Sequence, residues 1–165
     1  LQPDAWHYII VYESGDLAAS AASLADGQVT GGSELPAHSV RPKANFHFVI
    51  DSARSGRHTM DGQLEVGTSW LRQASGAPYV GWPDSRYYPH PPYTDAVGVC
   101  LIGDLNRAPV SEAQHRTLVQ LVRELQRDLN VPKSHVLFQW ELGPNATHAS
   151  NAEVAYAANF RRSLD

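Results

Sequence analysis

The sequence predicts an α/β fold, in which a β-sheet is covered by helices. Two continuous apolar runs rich in β-branched and aromatic residues, 6–11 (WHYIIV) and 96–102 (AVGVCLI), are typical of buried strands. Over 111–130 the apolar residues instead recur at helical spacing. Strands interleaved with helices along a chain favour a sheet with helices packed on its faces.

The first half of the chain follows this scheme. After the first strand, Asp16 can cap a short Ala-rich helix over 17–25. Residues 27–44 are predicted to be loop, because three glycines and two prolines interrupt any apolar period. Alternation and turn residues predict three further segments: a strand over 45–51, a turn over 52–57 and a strand over 62–66 that forms a hairpin with the strand before it.

The second half opens with an aromatic loop over 75–94, which holds five prolines and four tyrosines. Loops of this length usually have a function or are mobile. The buried strand 96–102 follows it, and is expected at the centre of the sheet because it is apolar throughout. A last strand over 135–140, a loop over 145–149 and a helix over 153–161 complete the chain.

The helix over 111–130 has the clearest local signals. Ser111 and Gln114 form the SEAQ pattern of a capping box, in which each side chain bonds the other residue's backbone N–H. Pro132 ends the helix. Five residues form its apolar stripe: Leu118, Leu121, Val122, Leu125 and Leu129.

Composition excludes several classes of protein. The length of 165 residues suits a single domain over 1–165, and 42% hydrophobic residues are too many for a disordered chain. No apolar run is long enough to span a membrane, so we expect no transmembrane segment. The net charge of −4 and the scattered basic residues argue against nucleic-acid binding. A single cysteine, Cys100, excludes a disulfide framework and is expected to be a small buried apolar residue.

Several phrases in a fixed order resemble a known family. These are YIIVYES at 8–14, NFHFVI at 45–50, DGQLEVG at 61–67, VGVCLIG at 97–103 and the helix that begins at Ser111. Together they resemble the type-2 N-acetylmuramoyl-L-alanine amidases, the zinc family that includes the peptidoglycan recognition proteins. The resemblance covers nearly the whole chain and implies a mixed central sheet of about five or six strands with α-helices on both faces.

The resemblance also implies a chemistry. The family cleaves the amide between the lactyl group of N-acetylmuramic acid and the L-Ala of the stem peptide. Its zinc is held by two His and one Cys or Asp, and a fourth position is open for water. In this chain the three ligand positions hold Tyr12, Gln139 and Ala149, or His148 if the last alignment slips by one residue. Phe46 replaces a Tyr that lies beside the zinc-bound water in many relatives, and Pro78 replaces a further His.

These replacements remove the donors that the reaction needs. A neutral phenol, with a pKa near 10, is a poor zinc ligand at neutral pH, and an amide oxygen suits hard cations rather than zinc. A phenylalanine cannot transfer a proton or donate to an oxyanion. The sequence therefore predicts a degenerate site at Tyr12, Phe46, Gln139 and Ala149, no catalytic residues, no metal and no cofactor, with zinc absent.

A second set of residues is expected to line the groove that the family uses for substrate. Its members are Glu13, His47, Tyr79, Trp82, Arg86, Tyr88, His90, Trp140 and His148. Simpler roles compete for some of them. His47 lies among apolar strand residues and suits a hydrogen-bonded structural role, whereas His148 is the histidine to test as a remaining ligand. Glu13 is expected on the opposite face of its strand from Tyr12.

These observations predict a catalytically inactive amidase-like domain that binds the cell wall or another protein. A peptidoglycan fragment or a protein partner would bind through the aromatic loop 75–94, whose Tyr, Trp and Arg are enriched at interfaces. One alternative is an active amidase with an atypical metal site at Glu13, Gln139 and His148. Another is a structural subunit of a larger envelope complex. The family and the first residue, Leu1 rather than Met, together suggest a periplasmic or extracellular location.

Overall fold

A computed structural model describes residues 6–15, 17, 46–54, 60–73, 95–142 and 148–165. The predicted helix over 17–25, apart from Leu17, and the predicted loop over 27–44 lie outside the described residues. So does the aromatic loop 75–94, with Pro78 and the groove candidates Tyr79, Trp82, Arg86, Tyr88 and His90.

Five strands form one mixed sheet with the order β3-β2-β4-β1-β5. The strands are β1 (Tyr8–Glu13), β2 (Phe48–Ile50), β3 (Leu64–Val66), β4 (Ala96–Leu101) and β5 (Val136–Phe138). β1 runs parallel to both β4 and β5, and β2 runs parallel to β4. Only the β2–β3 hairpin is antiparallel among the described pairs. The predicted mixed sheet, its hairpin and the central place of the apolar strand β4 are thus confirmed.

Three α-helices are described: α1 (Thr68–Leu71), α2 (Glu112–Leu129) and α3 (Asn151–Ser163). The capping box predicted for α2 is present, with Ser111 Oγ accepting from Gln114 N at 3.0 Å and Gln114 Oε1 accepting from Ser111 N at 3.3 Å. α3 begins earlier than predicted because Ser150 is its N-cap and forms a second capping box with Glu153. None of the helices in the described ranges is long and apolar enough to cross a membrane.

The predicted strand over 135–140 is wrong at both ends. Only Val136–Phe138 pairs in the sheet, and 3₁₀ turns precede and follow it at Lys133–His135 and Gln139–Glu141. The second turn is held by Glu141, whose Oε2 accepts from Phe138 N at 2.8 Å. This local bond ends the strand where the apolar pattern alone would extend it. The predicted strand over 45–51 is likewise shorter, pairing only over Phe48–Ile50.

Two apolar clusters lie on opposite faces of the sheet, because successive side chains of a strand point to opposite sides. In β1, Ile9 and Val11 belong to the first cluster, and Ile10 and Tyr12 belong to the second. The apolar stripe of α2 and two residues of α3, Ala157 and Phe160, pack in the first cluster. Both long helices therefore cover the same face of the sheet. The second face carries Tyr12, Phe46, Val49, Cys100 and their neighbours.

The β2–β3 hairpin is fastened to the start of α2. Ser111 Oγ donates to Asp61 Oδ1 at 2.9 Å, and Thr117 Oγ1 donates to Gly62 O at 2.7 Å. Gly62 has a φ of +75° and lies against the backbone of Ala113. The glycine of this Asp-Gly phrase is thus required, because the backbone of the hairpin approaches the backbone of α2 too closely for a Cβ at residue 62.

Candidate functional site

Tyr12 and Phe46 lie together on the second face of the sheet. Both side chains are buried, with 4% and 6% of their surface exposed. Their ring centroids are 5.4 Å apart, and the ring planes are tilted by 60°. At this distance aromatic rings make a favourable packing contact. The position that would hold the family's first zinc ligand is therefore built into an aromatic pair of the core.

Gln139 is placed beside the end of β1 by the register of the sheet. Val11 lies opposite Phe138 in the parallel pair β1–β5, and Gln139 follows Phe138 directly, at the start of the 3₁₀ turn. The amide of Gln139 bonds to the chain itself, since its Oε1 accepts from Glu13 N at 3.4 Å. The structure thus places Gln139 next to the end of β1, where Tyr12 also lies. However, the ring of Tyr12 packs on Phe46, and the amide of Gln139 bonds to the backbone of Glu13.

The third zinc-ligand position implied by the resemblance, Ala149 or His148, lies just before α3. His148 is exposed, and Ala149 is partly buried against the first apolar cluster. Ala149 has no donor atom in its side chain. Among the described residues, no three His, Cys, Asp or Glu side chains are grouped closely enough to hold a metal ion. A packed phenol, a backbone-bound amide and a methyl group do not fit a zinc centre, which needs three N, S or carboxylate ligands.

His47 and Trp140, two of the groove candidates, are buried. His47 is fully enclosed; its Nδ1 accepts from Gly98 N at 2.9 Å, and its own backbone N–H donates to Gly98 O at 3.0 Å. The rings of Trp6 and His47 make a T-shaped contact with a centroid distance of 5.1 Å. Trp140 stacks on Phe138 at 4.7 Å within the first apolar cluster. Both residues therefore contribute to the core.

Cys100 is fully buried in β4 on the second face. Burial raises the pKa of its thiol, and the nearby negative charges of Glu13 and Asp51 raise it further. A thiol held protonated in this way is a poor nucleophile and a poor metal ligand. The predicted role of Cys100 as a buried apolar residue is confirmed by its place in the core.

The side chain of Glu13 lies on the opposite face of β1 from Tyr12. Successive residues of the strand alternate between faces, so Glu13 follows Ile9 and Val11, which point toward the helices. Its Oε2 accepts from Leu105 N at 3.2 Å. Its Oε1 is shielded from solvent and has no hydrogen-bond partner in the described part of the chain. Burial raises the pKa of this carboxyl from 4.5 to about 7, and the carboxylates of Glu153 and Asp104 add to the effect.

The raised pKa predicts how stability depends on pH. The folded protein holds the Glu13 proton more tightly than the unfolded chain does. The resulting stabilisation is complete below the unfolded pKa of 4.5 and is lost as the pH rises through about 7. Between these limits we expect the protein to lose up to about 3 kcal/mol of unfolding free energy relative to its Glu13→Gln variant. Urea denaturation of both proteins at a series of pH values measures the difference. Parallel pH curves for the two would contradict the assignment.

Sequence reasoning missed the surroundings of Glu13. Glu13 is one of the residues that line a cavity whose walls come from the ends of three strands and the start of α2. The signal in the sequence was an acidic residue at the carboxyl end of an apolar parallel strand, a place where α/β sheets commonly bind ligands. No local sequence pattern indicates that the segments around residues 52, 105 and 111 lie next to Glu13.

Solved structures with the same fold support the predicted fold class. The chain is similar to a mutant endolysin from Bacillus subtilis, with 12% identity and a TM-score of 0.57 over 98% of this chain and 86% of that one. It is similar to PlyL, with 15% identity and a TM-score of 0.57 over 98% and 85% of the two chains. A point mutant of PlyL gives 17% identity and a TM-score of 0.54 over 97% and 85%. At these identities the likeness shows the fold alone. No protein-family model matches the chain, and no curated protein matches it in sequence.

Proposed function

We propose that this chain is a catalytically inactive amidase-like domain that binds peptidoglycan outside the cytoplasm. The observation that carries the proposal is the pair Tyr12 and Gln139. Tyr12 lies near the end of β1 and Gln139 directly follows β5, yet Tyr12 packs on Phe46 and Gln139 bonds Glu13 N. These contacts support a site in which the metal-ligating side chains of the family have been replaced by side chains that stabilise the fold.

Two parts of the amidase mechanism lack their residues. The first is the metal that lowers the pKa of water and polarises the amide carbonyl. The second is the proton-transferring hydroxyl beside that water, because Phe46 has the aromatic ring without the oxygen. One missing group could be compensated by a neighbour. The joint loss at Tyr12, Phe46, Gln139 and Ala149 favours an inactive domain.

Two observations favour a role at the cell wall. One solved structure of the same fold is an endolysin. The aromatic loop 75–94 combines Tyr, Trp and Arg, which can stack on sugars and bond to peptides. A protein partner at this loop and a purely structural role in an envelope complex are the competing functions. An active amidase that uses Glu13, Gln139 and His148 is the competing enzyme, although Glu13 points to the opposite face of β1 from Tyr12.

Co-sedimentation with insoluble peptidoglycan, combined with an assay for newly released amino groups, tests the proposal. We expect the chain to sediment with peptidoglycan and to release no L-Ala amino groups. Trp82→Ala should reduce the retained fraction several-fold. Val154→Ala is the control, since Val154 is an exposed apolar side chain on α3, and it should leave retention unchanged.

Each other outcome favours a competing function. Release of amino groups would establish an active amidase with an atypical site. Absence of retention would remove the cell-wall role and favour a protein partner or a structural subunit. Equal loss of retention in both variants would show that binding is not specific to the aromatic loop.

A further inference from the structure

His115 joins the two long helices that cover the first face of the sheet. Its Nδ1 lies 3.3 Å from the hydroxyl of Tyr156, and its Nε2 lies 3.1 Å from Ser163 Oγ. Tyr156 and Ser163 are both in α3, two turns apart on the same side of the helix. The imidazole is partly buried and contacts the ring of Phe160 at a centroid distance of 6.1 Å. Both ring nitrogens of this one side chain therefore hold α3 against α2.

The hydrogen bonds of Ser163 indicate which nitrogen of His115 carries the proton. Ser163 Oγ donates its hydrogen to Asn159 O at 3.3 Å, so toward His115 it acts as an acceptor. Nε2 is then the donor of the neutral imidazole, and Nδ1 accepts from the hydroxyl of Tyr156. The contact between the two helices is thus complete when the imidazole is uncharged.

A second proton on the imidazole would disturb this arrangement. It would bind to Nδ1, where it would meet the hydrogen of the Tyr156 hydroxyl, so the hydroxyl would have to turn and lose its acceptor. Burial also disfavours the charge and lowers the pKa of His115 below the ordinary value of 6.5. The stabilisation by the neutral ring is therefore complete above pH 6.5 and is lost as the pH falls through the lowered pKa.

The charged groups near His115 do not reverse this effect. The charged side chains that line the two grooves beside the imidazole are Arg107, Glu112, Arg116, Arg123, Glu124 and Arg127. Arginines outnumber glutamates in this set, so it does not favour a further positive charge. Arg123 also donates to Ser163 O at 2.8 Å, next to the imidazole contact. From α3, the described titratable group that bonds to the ring is Tyr156. The charge of Glu13 acts on Tyr156, but protonation of Glu13 stabilises the fold, so its effect has the opposite sign.

We propose that His115 is a pH-sensitive latch between α2 and α3, which holds α3 when the imidazole is neutral and loosens it when the imidazole takes up a proton. The loosening is local, because α3 has other contacts with the sheet: Arg161 donates to Val136 O at 3.2 Å and pairs with Glu141. The latch goes beyond the proposed function and does not depend on it, since it uses neither the aromatic loop nor the zinc positions.

Hydrogen exchange followed by amide NMR tests the latch. Protection factors, which are corrected for the intrinsic pH dependence of exchange, are compared for the amides of α2 and α3 over a pH series from about 7.5 to about 5. We expect the protection of α3 to fall about threefold to tenfold relative to that of α2 across this series. The fall should have the same midpoint as the titration of the His115 ring, which the carbon-bound protons of the imidazole report.

Two variants and a control make the test specific to His115. His115→Gln cannot titrate, so it should remove the pH-dependent difference between the two helices. Tyr156→Phe keeps the ring and removes the hydroxyl, so it should reduce the difference even if His115→Gln folds poorly. His7→Gln is the matched control, because His7 is exposed and pairs with Asp95, and it should leave the difference unchanged.

Four results would overturn the latch. The first is an equal loss of protection in α2 and α3, which would indicate global unfolding. The second is a fall in α3 that persists unchanged in both His115→Gln and Tyr156→Phe. The third is a midpoint that differs from the titration of the His115 ring, and the fourth is removal of the difference by His7→Gln.

Discussion

Replacing Gly62 by alanine is expected to lower the free energy of unfolding by about 3 kcal/mol, from strain and overpacking together. A Cβ at this position would lie 2.6 Å from the carbonyl carbon of Ala113 and 2.7 Å from its oxygen. These are backbone atoms in the first turn of α2, so the neighbour cannot turn aside as a flexible side chain could. The φ of +75° adds strain for any residue with a Cβ.

The variant Gly15→Ala separates the cost of backbone strain from the cost of overpacking. Gly15 has a similar φ of +69°, but a Cβ there would meet no described atom within 4 Å. It should therefore cost only the backbone strain, about 1–2 kcal/mol. Urea denaturation of both variants gives the comparison. Equal losses would show that a Cβ at residue 62 does not clash with the backbone of Ala113, and that the packing described for Gly62 is incorrect.

The second large effect is expected at Phe138. This side chain is fully buried and contacts three other rings: Trp140 at 4.7 Å, Phe160 at 5.4 Å and Tyr156 at 5.9 Å between centroids. Phe138→Ala removes the ring and leaves a cavity between β5 and α3, which typically costs about 3–5 kcal/mol. Thermal and urea denaturation measure the loss.

Phe138→Leu is the control for this prediction, because it keeps most of the buried volume and should cost clearly less than alanine. Gln139 follows Phe138 directly and begins the 3₁₀ turn. A loss below about 1 kcal/mol for Phe138→Ala would mean that α3 is not packed on β5 as the structure has it.

Local signals account for what the sequence predicted well. The capping box of α2 depends on Ser111 and Gln114 alone, which are three residues apart, and the helix begins where they predict. The apolar runs likewise identify β1 and β4 as buried strands. The helix α1 had no comparable signal. It is a single turn, which is too short to show an apolar period in the sequence. Its Trp70 packs on Phe48, with the ring centroids 4.9 Å apart, and this tertiary contact has no local sequence signal.

The candidate site, too, could be predicted from the sequence only in part. The resemblance implied that Tyr12 and Gln139 lie near each other, because it assigns both residues to ligand positions of one zinc ion. Their actual contacts could not be predicted, since the Phe46 ring and the Glu13 backbone N–H come from other parts of the chain. The cavity at Glu13 depends on four distant segments, so neither composition nor spacing indicates it.

The zinc content of the purified chain tests the central claim most directly. After dialysis against zinc-containing buffer at neutral pH and then against metal-free buffer, elemental analysis should find far less than one zinc per chain. The physical reason is that Tyr12, Gln139 and Ala149 supply no set of three zinc ligands. One zinc per chain, lost on Gln139→Ala, would contradict the account and would establish a metal centre at the position assigned here to structural contacts.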